Sequence, residues 1–314
     1  MEFFHKVSAF PFMHTRKVWY GISVASIIGS LLLVFIHGLN LGIDFTGGVV
    51  IEVAFTQPVD VEHTRAALSA AGIADAQVKV TESVRELMVT VKPQGVETAQ
   101  KGGELSQRVA EALKQIDPNV IIKRTDEVGS QVGSELLDKG GLAMLVTFIL
   151  ILIYVAFRFV WKLGAGAVLA AMHDPIIILG VFAVTQITFD LSAIAAILAV
   201  IGYSLNDTVV VFDRVRDNFL SMRNASPTEV MDSAVNQTLS RTVITSGVTL
   251  MAVIVLLIFG GEALKPFSVA LTVGIIVGTY SSIYVAGAIA LDLGLTVRDL
   301  MPVQKNDPEL DAMP

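Results

Sequence analysis

LSAIAAILAVIGYSLNDTVVVFDRVRDN, residues Leu191 to Asn218, is apolar over a length that crosses a bilayer, yet it carries Asn206 and Asp207 within the apolar run. The next charges, Asp213, Arg214, Arg216 and Asp217, come only after Thr208–Phe212. A carboxylate at membrane depth costs about 2.5–3.5 kcal/mol on insertion scales, so it is kept for a reason and faces a bundle interior or a wet cavity. The stretch therefore predicts a polytopic helical membrane protein with a functional acid in one span.

Composition agrees. The 314 residues are 53% hydrophobic but only 16% charged, with mean hydropathy +0.67. Soluble domains carry about a quarter charged residues, so a membrane bundle with one sizeable soluble part is expected. The net charge of −7 and the absence of basic runs longer than two residues argue against a nucleic-acid partner. With no cysteine, disulfides, thiolate metal sites and cysteine nucleophiles are excluded.

Outward from that stretch, six apolar runs suit a hydrocarbon core roughly 30 Å thick. The first, 18–39, follows a short cytoplasmic segment (1–17) ending in Arg16-Lys17, and is longer than the core of a cleavable signal peptide, about 7–15 residues. It reads as an uncleaved anchor. The others are 141–157, 164–187, 191–212, 242–259 and 268–292, with a polar loop expected from Asp213 to Arg241 and a polar tail over 294–314.

Residues 40–140 read as a soluble α+β domain. After the turn-rich Gly42–Gly48, a strand is predicted at 49–55, a helix at 59–71 stopping at Gly72, and strands at 77–82 and 87–92. A helix at 98–116 and a strand at 119–125 complete βαββαβ, the ferredoxin-like order.

Orientation follows from lysine and arginine. Ten of the 22 lie in the 40–140 domain, which is long enough to escape the positive-inside rule. Of the other twelve, only Lys265 falls on the side away from the N-terminus. Both termini are expected in the cytoplasm, with residues 40–140 exported.

Asp207 lies about 24 Å along its span from the outer end, in the cytoplasmic third. Arg241 opens the next span and reads either as an interfacial snorkelling arginine or as a guanidinium that pairs with Asp207 and releases it on protonation. His173-Asp174-Pro175 interrupts the third span. Asp174 there is a second candidate acid or part of a structural kink, and His173 and Asn206 are weaker candidates for a proton path. Gly274, Gly278 and Ser282 recur every fourth residue, the small-residue pattern that lets helices approach closely. Neither a phosphate-binding Walker loop nor His-Glu-x-x-His is present. No catalytic residue, metal or cofactor is expected, and protons are the expected coupling ion.

Five motifs in order, GIDFTGG (42–48), VGSQVGSEL (128–136), AMHDP (171–175), IGYSLNDTVVVFDRVRDN (201–218) and QTLSRTVITSGVTL (237–250), resemble those of the SecD/SecF family, the accessory membrane proteins of bacterial protein export. The resemblance covers nearly the whole chain and is to the smaller, SecF-type component. It implies a half-transporter of the resistance-nodulation-division superfamily in the bacterial inner membrane. Such a half pairs with SecD to make twelve spans and works beside the SecYEG channel, with YajC and YidC as further neighbours. It implies that the 40–140 domain is periplasmic and helps draw an unfolded preprotein outward, driven by the proton gradient. It also singles out Gly42, Asp44, Phe45, Gly47 and Gly48 after the first span, carries the family's membrane acid and arginine onto Asp207 and Arg241, and carries its His-Asp pair more weakly onto His173 and Asp174. Two rivals remain: a proton-coupled exporter of lipids or small molecules, and an intramembrane aspartyl protease using Asp174 and Asp207.

Overall fold

The computed structural model describes residues 9–73, 76–81, 83–92, 102–222 and 224–300. Six helices are long and apolar enough to span a membrane, and a small four-stranded sheet sits between the first two. After a 3-10 turn at Phe12–Thr15, α1 (Arg16–His37) leads to a single helical turn, α2 (Ile43–Thr46). The soluble domain follows as β1 (Gly48–Ala54), α3 (Val61–Ala70), β2 (Gln77–Val80), β3 (Glu86–Val91), α4 (Gly102–Ile116) and β4 (Ile121–Val128).

The sheet order is β2-β3-β1-β4, antiparallel throughout, as the βαββαβ reading expects. Alternation aims Val49, Ile51 and Val53 of β1 and Leu87, Val89 and Val91 of β3 at one face, where Leu68 of α3 and Val109 and Leu113 of α4 cover them. Burying each such side chain stabilises by about 1.5–3 kcal/mol. The opposite face carries Glu52, Lys79, Thr90 and Arg124 and overlooks a cavity of about 770 Å³ whose floor is the adjacent end of the helical bundle. Gly48 adopts φ 131°, and a Cβ there would run into the Val91 carbonyl of the neighbouring strand. The segment of the second predicted helix before 102 lies outside the described residues.

The membrane part comprises α5 (Ser130–Arg158), α6 (Trp161–Thr185), α7 (Leu191–Ser221), α8 (Pro227–Phe259) and α9 (Gly261–Ser281). A π-turn at Ser282–Ala286 continues α9 into α10 (Gly287–Asp292), and α11 (Val297–Leu300) is a final short turn. Helices α6, α7 and α9 form the buried centre, with α1, α5 and α8 around it.

One stretch expected as a loop is helical, and a second span starts earlier than expected. The polar interval from Asp213 to Arg241 is the end of α7 and the start of α8, joined near Met222–Ser226. Its apolar side, Phe212, Val215, Phe219, Val230, Met231 and Ala234, packs with Phe12 and Met13 in one core. Ser226 and Glu229 cap α8 reciprocally with Pro227 in its first turn, an arrangement that satisfies two otherwise orphaned amides. Likewise α5 begins at Ser130, about three turns before its apolar run. The start of the expected polar tail is tied down too: Asp299 accepts from Lys162 Nζ at 2.7 Å and from the Thr296 amide at 2.8 Å. The Lys162 bond, and then the Thr296 hydroxyl, hold its carboxyl below the usual range. Residues 301–314 lie outside the described residues.

In the soluble domain, Asp117 locks the end of β1 to the α4–β4 turn. Its Oδ2 accepts from the Thr56 hydroxyl at 2.6 Å and the Thr56 amide at 2.8 Å, and its Oδ1 from the Asn119 amide at 2.9 Å. The Thr56 hydroxyl bond first, then the two amides, lower its carboxyl from the ordinary value. A depressed acid contributes stability that is fully present above its unfolded pKa and is lost as pH falls through the folded one. Protection of the Thr56 amide, measured as its exchange rate relative to that of an unstructured amide at the same pH, should therefore be high at neutral pH and fall on acidification below the carboxylate range, while Asp117→Ala should show low protection at every pH.

Candidate functional site

At the end nearest the sheet, the Gly42–Gly48 segment is built into the membrane bundle. Leu41 bridges Phe189 in parallel, the Gly42 amide donates to the Phe189 carbonyl at 2.8 Å, and the Phe189 amide donates to the Asn40 carbonyl at 2.8 Å. Asp44 Oδ2 accepts from the Leu191 amide at 3.0 Å, while Asp190 Oδ1 accepts from the Ala193 amide at 2.9 Å and the Ser192 hydroxyl at 2.6 Å. Two carboxylates thus satisfy the first amides of α7, where the helix dipole favours negative charge. Burial raises the Asp190 carboxyl; its bonds from Ser192 and Ala193 oppose this and the Asp44 charge adds to it. Phe45 packs near Phe189, which meets Phe182 of α6 edge-on at 5.4 Å. Gly133 of α5 lies so close that a Cβ would stand 2.9 Å from the Gly47 nitrogen and 3.0 Å from the Phe45 carbonyl carbon.

Deeper, polar groups run across the three central helices. Asp174 is fully buried in α6, with Oδ1 2.9 Å from His173 Nδ1 and Oδ2 accepting from Ser281 Oγ at 3.1 Å. His173 is buried as well, and its Nε2 has no hydrogen-bond partner among the described residues. Pro175 removes one backbone donor from α6 at this level, which leaves a carbonyl of the preceding turn to other partners. On α9, Gly274 and Gly278 face α7: a Cβ on Gly274 would overlap Val200, and one on Gly278 would lie 3.0 Å from Ser204 Cβ. Ser282 Oγ lies 3.2 Å from the Ser204 carbonyl. All three small residues therefore lie on the α7–α9 contact.

Asp207 is buried in α7, and its Oδ2 has no hydrogen-bond partner among the described residues. Ser246 of α8 stands beside its carboxyl group, and the Arg241 charge lies within Coulomb reach. Ser246 Oγ also meets the hydroxyls of Thr279 at 2.8 Å and Tyr203 at 3.3 Å. No ion pair within 4.0 Å joins Asp207 to Arg241 among the described residues; the arginine lies on the exposed side of α8. Asn206 is also exposed. Asp174 is committed to His173 and Ser281, and no hydrogen bond joins it to Asp207 among the described residues.

Two family models match, "Protein export membrane protein SecD/SecF, C-terminal" over residues 108–296 and "SecD/SecF GG Motif" over residues 32–59. The chain is 49% identical over 306 residues to the Protein translocase subunit SecF of Vibrio alginolyticus, covering 96% of each. The chain belongs to the SecD/SecF family. It is also 45% identical to the SecF subunit of Pseudomonas aeruginosa, over 96% of this chain and 97% of that one. Its fold is similar to the crystal structure of SecDF, a translocon-associated membrane protein, from Thermus thermophilus (TM-score 0.79, 36% identity), over 90% of this chain. The chain spans 38% of the length of that structure's chain.

Within this family architecture, sequence reading singled out the two buried acids and the Gly42–Gly48 segment, but missed the groups that hold them. Ser246 was legible: Thr238, Thr242 and Ser246 recur every fourth residue in α8 and all three are buried. Ser281 had no comparable signal, because its position depends on the approach of α6 to α9. Asp190 was legible as an N-cap, an acid immediately before the apolar run of α7, whereas Gly133 was silent, since its neighbours Phe45 and Gly47 come from a distant part of the chain. Gly133→Val should loosen the outer joint by about 1–3 kcal/mol, as overpacking does. Amide exchange would rise at 42–48 and 189–193, whereas Gly141→Ala, with open space around it, should leave those amides unchanged.

Proposed function

We propose that the chain is the SecF-type half of a membrane complex that uses the proton motive force to promote preprotein translocation. The observation that carries this reading is the open Oδ2 of Asp207: a buried carboxylate with one unpartnered oxygen, a hydroxyl beside it and an arginine charge within reach. Desolvation favours the protonated acid and the arginine favours the ionised one, so a modest rearrangement tips the balance. One proton moving down the membrane potential supplies about 2.3 kcal/mol per 100 mV. The rigid outer joint at Asp44 and Phe45 offers a route by which a shift of α7 moves the periplasmic sheet domain. The chain acts without enzymatic chemistry, on an unfolded preprotein emerging from the SecYEG channel, with YajC and YidC as further associates and lipid around it.

The partner in this reading is SecD. Asn206, Arg241 and Thr245 are exposed on this chain at membrane depth, beside Gly202, which has open space around its Cα. Polar groups do not face hydrocarbon without cost, so this side suits a second polytopic protein. The SecDF chain leaves room for such a half beyond the share matched here. The topology proposed is an inner-membrane one, with both termini cytoplasmic and residues 40–140 periplasmic.

In the assembled complex, Asp207→Asn should abolish the stimulation of preprotein translocation by an imposed proton gradient in membrane vesicles. Full stimulation in that variant would overturn the proposal. For the pairing surface, Gly202→Leu should leave the chain inserted and helical but reduce its co-purification with SecD by about tenfold or more, the effect of roughly 1.4 kcal/mol. Undiminished co-purification would move the interface to another face.

A further inference from the structure

At the start of the π-turn of α9, the carbonyl of Gly278 is offered more donors than it can accept. It takes the backbone amide of Ser282, and it lies 2.8 Å from Ser282 Oγ and 3.2 Å from Ser281 Oγ. A carbonyl oxygen has two lone pairs. One of the two hydroxyls must therefore donate elsewhere, and each has a carboxylate or carbonyl oxygen on a neighbouring helix within reach. For Ser281 it is Asp174 Oδ2 on α6, at 3.1 Å; for Ser282 it is the Ser204 carbonyl on α7, at 3.2 Å. The Ser204 carbonyl is in turn 3.1 Å from Thr208 Oγ1, whose own alternative is Ser282 Oγ at 3.1 Å. Thr208 adjoins Asp207. All of these groups are buried.

We propose that Ser281 and Ser282 are positioning residues that carry the charge state of Asp174 to the Asp207 turn of α7, by exchanging which of them donates to the Gly278 carbonyl. When Asp174 is ionised, Ser281 donates to it through a charge-assisted bond, which is about twice as strong as a neutral one. Ser282 then holds the Gly278 carbonyl, and Thr208 donates to the Ser204 carbonyl within its own helix. When Asp174 is neutral, Ser281 turns to the Gly278 carbonyl and Ser282 is displaced onto the Ser204 carbonyl. Thr208 then turns to Ser282 Oγ, adding a bond between α7 and α9 next to Asp207. Every hydroxyl keeps its proton throughout; only the direction of donation changes. The other carboxyl oxygen of Asp174 lies 2.9 Å from His173 Nδ1, and the Nε2 of that ring has no hydrogen-bond partner among the described residues.

The wider π-turn, Ser282–Ala286, starts at these hydroxyls, and Gly166 of α6 packs against its far end at the Ala286 carbonyl. That keeps α6 in contact with α9 on both sides of the exchange. The ionisable groups facing the pair are Tyr280 of α9, whose ring is 6.1 Å from that of His173, and Asp207 beyond the relay on α7. From α1, Ser23 and the Trp19 carbonyl engage the Tyr280 hydroxyl.

The relay rests on the reading of Asp207 as a proton site, and one experiment separates the two. In vesicles holding the complete complex, modification of Asp207 by a hydrophobic carbodiimide, which reacts with protonated buried carboxyls, is followed peptide by peptide. Asp174→Asn, permanently neutral, should change the Asp207 rate by about threefold or more, a coupling of the size seen between residues in one network. That ratio should fall to one in a Ser281→Ala background and return in Ser281→Thr, which keeps the hydroxyl. A ratio unchanged by Ser281→Ala would mean direct electrostatic coupling and overturn the relay, as would no effect of Asp174→Asn with Ser281 intact. If Asp207 stays unmodified at every pH, the proton-site reading fails and the relay falls with it.

Discussion

A hydrogen bond from the Leu191 amide to Asp44 joins the two halves of this molecule. A helix start leaves amides without intrahelical partners, and α7 begins where water is scarce enough that burial raises Asp190. Supplying one acceptor from the adjacent residue and the other from the segment after α1 makes the central membrane helix and the first strand of the sheet parts of one structure. The surrounding contacts follow from it: Phe45 against Phe189, Gly133 against Gly47, and the short parallel bridge at Leu41. The sheet is consequently held over the bundle, and the cavity between them has walls from both.

Inside the bundle a different constraint operates. Hydrocarbon offers polar groups no partners, so Asp174 and the buried serines and threonines of α7, α8 and α9 bond one another, and Asp207 keeps one oxygen open. The glycines of α9 make that possible by letting α7 approach closely. A side chain at Gly274 or Gly278 would separate the helices and the hydroxyls with them. Packing and polarity here are one property rather than two.

What could be read from the chain follows this division. Long apolar runs and period-two alternation revealed six spans and the βαββαβ order, since burial itself imposes those patterns. Asp207 and Asp174 stood out because an acid in an apolar run is expensive. The helical character of 213–241 was obscured by polarity, although Ser226-Pro227 with Glu229 spells a helix start. Hydropathy marks where a helix is greasy, not where it ends. Arg241 and Asp207 share a depth, as antiparallel neighbours do, but the arginine lies on an outward face, and helical phase rather than depth decides contact. Asp44 meets Leu191 across 147 positions of sequence, a separation that no local pattern encodes.

The docking of residues 10–13 onto the first turns of α8 has a consequence for biosynthesis. The backbone of Phe10 exchanges hydrogen bonds with the Asn236 side chain in both directions, and the Met13 amide donates to Asp232. Phe10 is separated from Asn236 by 226 residues. At about 5–20 residues per second of synthesis, Phe10 waits on the order of ten to forty-five seconds for the surface that receives it. These residues are thus among the last to be seated, because the core around Phe12 and Met13 also takes side chains from the sixth span and from the chain after it, such as Ile283 and Leu295.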